Sequence, residues 1–351
     1  MRRAAFSFPA LLLAALLAAC APTLQQAGRP DSTFAGPHLE GDRFVSFDGA
    51  RLGLTGWDAK DGLVGGEPKA VVVGVHGMND YANAFHLAAA YWATQGISTY
   101  AYDQRGFGRS PGRGLWAPDD LKIEDLRTIV ALVRRRYPRA VIAVAGESLG
   151  GAVAIEAFAS AAPPAADRLI LLAPAVWGWS TQPPPDTALL WLAAHVAPGA
   201  VISPPDWLTR KITPTDNRAE LVAMSEDPLM IWGARLDTLY GLVDTMERAW
   251  REVGHIHPPT LYLYGAHDEI IPRSATRGAV ARLAPSERTA YYKAGYHLLL
   301  RDNQALNVWR DVAAFIADPT APLPSGAPPI TPAALKERRP PARPVLAHAG
   351  L

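Results

Sequence analysis

The chain has only one cysteine, Cys20, among its 351 residues. No intrachain disulfide can form, even in an oxidising compartment, so stability has to come from a packed core.

The chain also lacks an excess of charge of either sign, with 34 Lys and Arg against 33 Asp and Glu. A near-neutral surface offers no broad electrostatic footprint for phosphates, so we expect no nucleic-acid partner. The length and the 49% of hydrophobic residues suit one large α/β domain with an insertion.

The start of the chain has no apolar run long enough for a comfortable transmembrane helix. Residues 10–19 are apolar, follow Arg2 and Arg3, and lead into Leu17-Ala18-Ala19-Cys20, which resembles the lipobox of bacterial lipoproteins. We predict a signal peptide over residues 1–19 and acylation of Cys20, with a buried structural cysteine as the alternative. Ala21, rather than an aspartate, follows the cysteine, which favours the periplasmic side of the outer membrane in the bacterial cell envelope. Residues 20–40, rich in small and polar residues, are predicted to form a lipidated tether.

The end of the chain is rich in proline. Residues 318–351 contain nine prolines, together with basic residues such as Arg338 and Arg339. This composition predicts a disordered tail with no catalytic part. A basic tail could touch an anionic surface, but a solvated tail is the simpler interpretation.

A metal-binding pattern is also missing. His255 and His257 stand two positions apart, but no third ligand clusters with them and two prolines follow directly. Zinc sites need three or four ligands, so we interpret these residues as ordinary surface or loop histidines. We expect neither a metal nor a cofactor.

Short apolar runs alternate with helical patterns over residues 41–173 and 258–317. This alternation predicts a core with a mostly parallel sheet of eight strands and helices on both faces. The predicted strands cover residues 44–47, 52–55, 70–75, 97–102, 140–145, 169–172, 261–264 and 289–292. Ligand sites of such sheets lie beyond the carboxyl ends of the strands, so residues at those ends are informative.

Residues 174–257 break the alternation and are predicted to form a helical cap over the site. Six of the ten tryptophans fall in this insertion: Trp177, Trp179, Trp191, Trp207, Trp232 and Trp250. Their rings could line an acyl-chain tunnel or face a lipid surface. They could equally pack the cap onto the core, and the sequence leaves both interpretations open.

Ser148 stands in the sequence Gly146-Glu147-Ser148-Leu149-Gly150, between a predicted strand and a predicted helix. A serine on such a sharp turn projects its hydroxyl from the sheet edge, and glycines on both sides avoid collisions with neighbouring backbone. Ser148 is therefore a candidate nucleophile.

A serine hydroxyl needs a histidine to accept its proton and an acid to orient that histidine. Asp268 follows the strand over residues 261–264, and His297 follows the strand over residues 289–292. Glu269 is the competing acid, but Asp268 is nearer the strand end and better placed to reach a neighbouring loop. We therefore predict Asp268 and His297 as the partners of Ser148.

Two backbone N–H groups are candidates for an oxyanion hole. Met78 lies in a glycine-containing loop directly after a predicted strand, and Leu149 begins the helix after Ser148. His76, in the same loop as Met78, is interpreted as organising the loop rather than carrying a proton. Asp103 and the arginines that follow it are interpreted as a structural ion pair fixing a tight loop.

Taken together, these motifs resemble the α/β-hydrolase superfamily, and within it the monoacylglycerol lipase and lysophospholipase group that includes sequences labelled serine aminopeptidase S33. The resemblance spans about residues 42–317. The matching pieces are residues 76–78, 103–110, 146–151, 227–229, 265–268 and 295–297. It implies an α/β-hydrolase fold in which Ser148 attacks, His297 moves protons, Asp268 orients His297, and Met78 with Leu149 binds the oxyanion. Glu147 departs from the pattern, since lipases of this group often carry histidine there.

The activity implied by this resemblance is that of a serine ester hydrolase, with an acyl-enzyme on Ser148 and a single-chain lipid ester as substrate. Monoacylglycerols and lysophospholipids are both expected candidates. The alternatives are an acyltransferase with the same triad and an envelope lipoprotein that retains the fold as a non-catalytic binding module. The membrane is an expected partner, through the anchor and through the cap.

Overall fold

A computed structural model of the chain describes residues 22–203 and 212–337. The predicted signal peptide, Cys20, Trp207 and residues 338–351 of the predicted tail lie outside the described residues. Within the described ranges, no helix is both long and apolar enough to cross a membrane.

The centre of the fold is a mixed sheet of nine strands in the order β1-β2-β3-β5-β4-β6-β7-β10-β11. The first three strands pair antiparallel, β3 pairs antiparallel with β5, and all the pairs from β5 to β11 are parallel. A separate antiparallel sheet of two short strands, β8 and β9, lies in the insertion. The strands are β1 His38–Glu40, β2 Arg43–Val45, β3 Arg51–Trp57, β4 Ala70–Val75, β5 Ile97–Tyr102, β6 Val141–Glu147, β7 Arg168–Leu172, β8 Val201–Ile202, β9 Ala234–Arg235, β10 Thr260–Gly265 and β11 Arg288–Tyr292.

Helices cover both faces of the sheet because side chains alternate along each strand. In β4, Val71 and Val73 point into one apolar cluster and Val72 into the other. Helices α2, α3, α6 and α7 pack on the first cluster, and α1 and α8 pack on the second. The helices are α1 His86–Thr94, α2 Asp119–Arg136, α3 Leu149–Ala159, α4 Pro184–Val196, α5 Arg218–Glu226, α6 Leu236–Glu252, α7 Arg273–Val280, α8 Ala305–Ala317 and α9 Pro332–Lys336.

The prediction of eight strands is wrong by one, because the chain adds β1 to the edge of the sheet. Leu39 of β1 lies opposite Phe44 of β2, so the short strand covers part of the core edge. This strand falls in the segment predicted as a tether. Earlier in that segment, the Gln25 N–H donates to the Trp116 carbonyl at 2.9 Å and the Gly28 N–H to Asp48 Oδ2 at 2.6 Å. Residues 22–40 therefore lie along the domain instead of leading freely away from it.

Residues 318–337 are also ordered against the core, contrary to the predicted disorder. The Ile330 N–H donates to Thr289 Oγ1 at 2.8 Å, and Ile330 and Leu335 are buried. Arg273 donates to the Leu335 and Glu337 carbonyls at 3.3 and 2.6 Å. Proline fixes backbone angles without preventing burial of the residues between prolines, so composition alone misjudged this segment.

The insertion between β7 and β10 contains α4, α5, α6 and the two-stranded sheet of β8 and β9. Its helices differ in their surroundings. Helix α6 packs against α3 through Val243, Met246 and Ala249 and so belongs to the core layer, although it falls within the predicted cap. Helix α4, by contrast, has only one buried residue, Ala194.

The described tryptophans of the insertion divide between the two interpretations left open by the sequence. Trp177, Trp179 and Trp250 are half-buried and pack against the core. Trp191 and Trp232 are 52% and 56% exposed. Packing onto the core therefore accounts for three of these rings and leaves two on the surface.

Candidate active site

Ser148 occupies the turn between β6 and α3 with backbone angles φ 53° and ψ −115°. A non-glycine residue rarely has a positive φ, and such a conformation costs about 1–3 kcal/mol that the surrounding structure must supply. Packing around the turn fixes it. A Cβ on Gly150 would lie 2.0 Å from the Val75 carbonyl oxygen, and a Cβ on Gly146 would lie 2.5 Å from the Gly150 carbonyl oxygen. Only glycine fits at either position, as the sequence motif suggests.

The structure brings His297 and Asp268 together. Asp268 follows β10 and His297 follows β11, and His297 Nδ1 lies 2.9 Å from Asp268 Oδ2. The second carboxylate oxygen, Oδ1, accepts the N–H groups of Ile270 and Ile271 at 2.8 and 2.9 Å. Because these bonds fix the carboxylate, it holds the imidazole with Nδ1 protonated and Nε2 free to accept a proton. Glu269 accepts the Thr213 N–H instead, at 3.1 Å.

Burial disfavours the charged imidazole, but the neighbouring carboxylates outweigh it. The charge of Asp268 and its hydrogen bond favour the protonated ring, Glu147 adds to this, and Arg301 opposes it. The net effect raises the pKa of His297 above the ordinary imidazole value. A proton taken from a nucleophile is therefore held more firmly by this ring than by a free histidine.

Ser148 and His297 line the same cavity, which has a volume of about 860 Å³. In the described part of the chain, no hydrogen bond joins the Ser148 hydroxyl to His297. Catalytic hydrogen bonds are often long without substrate and shorten in the complex. The position of Ser148 and His297 in the wall of one cavity is therefore the evidence that they can act as a pair. Most of the remaining wall is apolar: Ile212, Leu221, Met224, Met230, Ile231, Trp232, Ile270 and Leu298.

Met78 lines this cavity, and Leu149 directly follows Ser148 in the chain. A Cβ on Gly77 would lie 3.2 Å from Ser148 Cβ, so the loop that carries Met78 passes directly beside the serine. Leu149 is the first residue of α3, and the first N–H groups of a helix have no partner within the helix. Among the described residues, neither the Met78 nor the Leu149 N–H donates to another group. Both donors are therefore available to an oxygen atom next to Ser148.

His76 and Asp103 hold loops in place, as interpreted from the sequence. His76 is buried, with Nδ1 2.7 Å from the Gly77 carbonyl oxygen, and Nε2 accepts the Gln104 N–H at 2.9 Å. Burial lowers the pKa of His76, so the ring stays neutral in this role. Asp103 accepts both the backbone N–H and the Nε of Arg109 at 2.9 Å.

Arg301, Asp80 and Glu147 form a buried ion cluster beside the candidate catalytic residues, and the sequence analysis did not predict it. Arg301 Nη2 donates to Asp80 Oδ2 at 2.6 Å and to Glu147 Oε2 at 3.0 Å. Burial raises the pKa of Glu147, and its Oε1 has no hydrogen-bond partner among the described residues. The signal available in the sequence was an arginine directly after the apolar run Leu298–Leu300, a position where a buried charge needs partners.

A second unpredicted contact joins the cap to the loop of Met78. Arg113 donates to the carbonyl oxygens of Pro228, Leu229 and Met230 at 2.9, 3.0 and 2.9 Å. The next residue, Ile231, donates its N–H to the Asn79 carbonyl at 3.1 Å. Residues 227–231, which we call the strap, therefore fix the residue adjacent to a candidate oxyanion donor.

No group of three or more His, Cys, Asp or Glu side chains in residues 22–203 and 212–337 could hold a metal ion. His255 Nδ1 lies 3.0 Å from Glu252 Oε2 on the surface.

Comparison with known proteins places the chain in one family. The family model described as serine aminopeptidase, S33, matches residues 66–304. The monoacylglycerol lipase of Mycolicibacterium smegmatis is 27% identical over 263 residues, which cover 71% of this chain and 89% of the relative. The human monoglyceride lipase is 26% identical over 306 residues, covering 84% and 94%.

Solved structures support the same fold. The monoglyceride lipase of Saccharomyces cerevisiae, crystallised as a soluble variant with a substrate analogue, matches with a TM-score of 0.64 at 17% identity, covering 84% of this chain and all of that one. The Paleococcus ferrophilus monoacylglycerol lipase matches with a TM-score of 0.59 at 22% identity, covering 76% and 98%. These matches confirm the predicted α/β-hydrolase fold. The chain belongs to the serine aminopeptidase S33 family and is a serine carboxylic ester hydrolase.

Proposed function

We propose that the chain hydrolyses carboxylic esters of single-chain lipids through an acyl-enzyme on Ser148, with a monoacylglycerol as the natural type of substrate. One observation carries the proposal. A serine on a strained strand-to-helix turn shares an apolar cavity with a histidine whose Nδ1 lies 2.9 Å from a buried aspartate.

The first half of the proposed reaction forms the acyl-enzyme. The Ser148 oxygen attacks the ester carbonyl carbon while its proton moves to Nε2 of His297, and Asp268 stabilises the resulting imidazolium. The carbonyl oxygen becomes an oxyanion and accepts the N–H groups of Met78 and Leu149, each worth about 3 kcal/mol of transition-state stabilisation. The carbon–oxygen bond to the alcohol then breaks, and His297 gives its proton to the departing alcohol.

The second half repeats the sequence with water. His297 takes a proton from a water molecule, whose oxygen attacks the acyl carbon of the Ser148 ester. The same N–H groups accept the new oxyanion, and the bond to Ser148 breaks as His297 returns the proton to the serine oxygen. The products are a fatty acid and the free enzyme, and no cofactor takes part.

The cavity wall supports a neutral lipid with one acyl chain. Aliphatic and methionine side chains dominate it, which suits an alkyl chain. Among the described residues of the wall, the charged side chains are Asp80 and Glu147, both acidic. The nearby cation, Arg301, already pairs with both, so it offers no free positive charge to a phosphate group. The uncharged head group of a monoacylglycerol fits these surroundings better than that of a lysophospholipid, and two relatives are named for monoacylglycerol or monoglyceride.

The proposal is tested with two lipids that share an acyl chain, monooleoylglycerol and the corresponding lysophosphatidylglycerol. We expect the wild type to release fatty acid from the first at least about tenfold faster, and Ser148→Ala to release none above background from either. Equal rates on both lipids would contradict the head-group assignment. Turnover that persists in Ser148→Ala would contradict the mechanism. Adding excess glycerol or methanol shows whether the acyl group goes to water or to an alcohol.

We also propose that the mature protein is a lipoprotein of the bacterial cell envelope, anchored through Cys20. The lipobox-like sequence before Cys20 supports this assignment. Incorporation of labelled palmitate into the wild type, and its loss in Cys20→Ser, is the expected result. Equal labelling of both chains would contradict it.

A further inference from the structure

A short segment of the insertion lies against the loop that carries His297. The segment covers residues 213–216, just before α5, and we call it the clamp. The Pro214 carbonyl oxygen accepts the N–H of Leu298, the residue directly after His297, at 2.9 Å. The clamp therefore binds the chain at the residue next to the candidate catalytic base.

The clamp continues along the same loop through its next two residues. Thr215 is fully buried, and its Oγ1 donates to the Arg301 carbonyl oxygen at 3.2 Å. Asp216 binds Asn303 twice, because its Oδ1 accepts the Asn303 N–H and its carbonyl oxygen accepts the side-chain amide, both at 2.8 Å. Three successive clamp residues therefore bind the loop on the far side of the histidine.

The near side of the loop is held by the sheet instead. The Gly295 carbonyl oxygen accepts the His267 N–H at 2.8 Å. A Cβ on Gly265, at the end of β10, would collide with the Tyr296 carbonyl oxygen, so the loop packs directly on the strand there. The residues before His297 are thus fixed by the sheet core, whereas the residues after it depend in part on the insertion.

Arg301 shows how firmly the far side is held. Its carbonyl oxygen accepts the Thr215 hydroxyl, while its guanidinium donates to Asp80 at 2.6 Å and to Glu147 at 3.0 Å. A buried polar group that loses its partner is costly, so these bonds restrict where the loop can lie. The clamp supplies the bond to the main chain of the loop, and the ion cluster supplies the bonds to the side chain.

The clamp also reaches the loop of the candidate acid and the substrate cavity. The Thr213 N–H donates at 3.1 Å to Oε2 of Glu269, which directly follows Asp268. Thr213 and Pro214 line the cavity that holds Ser148. A substrate in the cavity would therefore contact the segment that also binds both loops of the proposed triad.

We propose that the clamp positions His297 and that Thr215 and Asp216 are positioning residues for the reaction proposed above. They hold the loop after the histidine and so keep the ring within reach of both Asp268 and Ser148. The insertion then acts on the chemical step as well as on substrate binding. The inference rests on the proposed function, because that function assigns His297 the role of the base.

Thr215→Val and Thr215→Ser test the inference, since valine keeps the shape of threonine without the hydroxyl and serine keeps the hydroxyl. With p-nitrophenyl butyrate and octanoate, Thr215→Val should lower kcat about tenfold, by the same factor on both esters, and leave each KM within about twofold. Thr215→Ser should return kcat to within about threefold of the wild type. The hydroxyl also accepts the Asn217 N–H at 3.2 Å, so thermal unfolding of each variant is measured alongside.

Thr260→Val is the matched control. Thr260 is also buried and donates its hydroxyl to the Pro258 carbonyl at 2.8 Å, but it begins β10, at the end of the strand away from Asp268. It should leave kcat and KM within about twofold of the wild type. Equal kcat values for Thr215→Val and Thr260→Val would overturn the inference. A loss that grows with acyl length, or that falls on KM alone, would assign Thr215 to substrate binding instead.

Asp216 gives a second test at a half-buried position, where a substitution leaves the core intact. Asp216→Ala removes the oxygen that accepts the Asn303 N–H and should lower kcat several-fold, whereas Asp216→Asn keeps an oxygen there and should stay near the wild type. The control is Asp318→Ala, because Asp318 Oδ1 likewise accepts a backbone N–H, that of Thr320 at 2.8 Å. Equal kcat values for Asp216→Ala and Asp318→Ala would contradict the role of Asp216.

Labelling with a fluorophosphonate separates this inference from the proposed function, because the reagent needs an activated Ser148 but no lipid substrate. It should react with Thr215→Val about tenfold more slowly than with the wild type, and with Thr215→Ser at nearly the wild-type rate. Equal labelling rates for all three would overturn the inference and leave the proposed function standing. A wild type that is labelled but hydrolyses no lipid ester would refute the proposed function, and the labelling rates would still test the clamp. A wild type that is not labelled would refute both.

Discussion

The candidate active site depends on a backbone conformation that Ser148 adopts at a cost. Its positive φ directs the side chain away from the ordinary helical path and leaves the Leu149 N–H beside it at the start of α3. The glycines around it allow this turn because the Val75 carbonyl occupies the space that a Cβ on Gly150 would need. The packing around the turn therefore explains both the conformation of Ser148 and the glycines on either side of it.

Glu147 is expected to shift the pH dependence of the reaction, in addition to the larger effect of Asp268. His297 must be neutral to accept the serine proton, so activity is lost as the pH falls through the pKa of His297. Glu147 contributes to raising that pKa. Glu147→Gln removes its charge, so the acid limb of the kcat/KM profile should move to lower pH while the plateau stays within about tenfold of the wild type.

The matched control for this experiment is Glu124→Gln, which alters a partly exposed carboxylate on α2 that pairs with Arg127. It should leave the profile unchanged. An acid limb that does not move in Glu147→Gln would contradict the electrostatic role of Glu147 and would show that this carboxyl is already neutral when His297 titrates.

The sequence predicted those site residues whose positions follow from strand ends. Ser148, Asp268 and His297 each follow a buried strand, and the structure places all three at one side of the sheet. Asp80 and Arg301 escaped prediction because no sequence motif marks either residue, and only the folded loops decide which side chains they meet. Their buried pairing depends on tertiary contacts that no local pattern encodes.

At the scale of elements, the strap over residues 227–231 connects the cap with the oxyanion loop. Arg113 holds three successive carbonyl oxygens of the strap, and Ile231 holds the Asn79 carbonyl next to Met78. The orientation of the Met78 N–H is therefore expected to depend on an arginine far from it in sequence. Arg113 is a positioning residue in this account.

Arg113→Leu should lower kcat about tenfold on every ester, because small displacements of a catalytic group cost large factors in rate. The KM of a short soluble ester should stay unchanged, since such a substrate fills little of the cavity. The matched control is Arg127→Leu, which removes bonds to the Ala162 carbonyl and the Ser160 hydroxyl on the surface. Equal kinetics for the two variants would contradict the positioning role, and thermal unfolding of both would separate loss of fold from loss of rate.

Periodicity predicted the regular elements better than the segments between them. The parallel strands are continuous apolar runs whose side chains are buried on both faces, so their pattern is unambiguous. The two terminal segments were predicted from proline, glycine and polar content. That content does not exclude packing, because a few residues such as Leu39, Ile330 and Leu335 are enough to hold each segment on the core.

At the scale of the whole molecule, the fold contains buried ionisable side chains that have no catalytic assignment. Glu156, on α3, is buried where α2, α3 and α6 pack together. Its Oε1 has no hydrogen-bond partner among the described residues. Burial and the nearby Asp119 raise the pKa of Glu156 to about 9, against the opposing effect of Lys122 and Arg248. Its ordinary value is 4.5, so the folded state holds a proton that the unfolded state releases between these two pH values.

The free energy of unfolding should therefore fall as the pH rises through this interval. Glu156→Gln cannot ionise and should become more stable than the wild type by up to about 1.4 kcal/mol for each pH unit above about 5. Chemical denaturation at pH 6, 7 and 8 measures the difference, with Glu124→Gln as a partly exposed control. A constant difference between Glu156→Gln and the wild type would contradict the buried, protonated state of this carboxyl.

The role of Ser148 as the nucleophile can be tested by labelling the protein with a reagent that reacts with activated serines. The folded protein is treated with a fluorophosphonate, digested, and the modified peptide is identified by mass spectrometry. We expect one phosphonyl adduct, located on Ser148, that is absent in Ser148→Ala and forms much more slowly in His297→Ala. An adduct on another residue, or one that persists in Ser148→Ala, would contradict it.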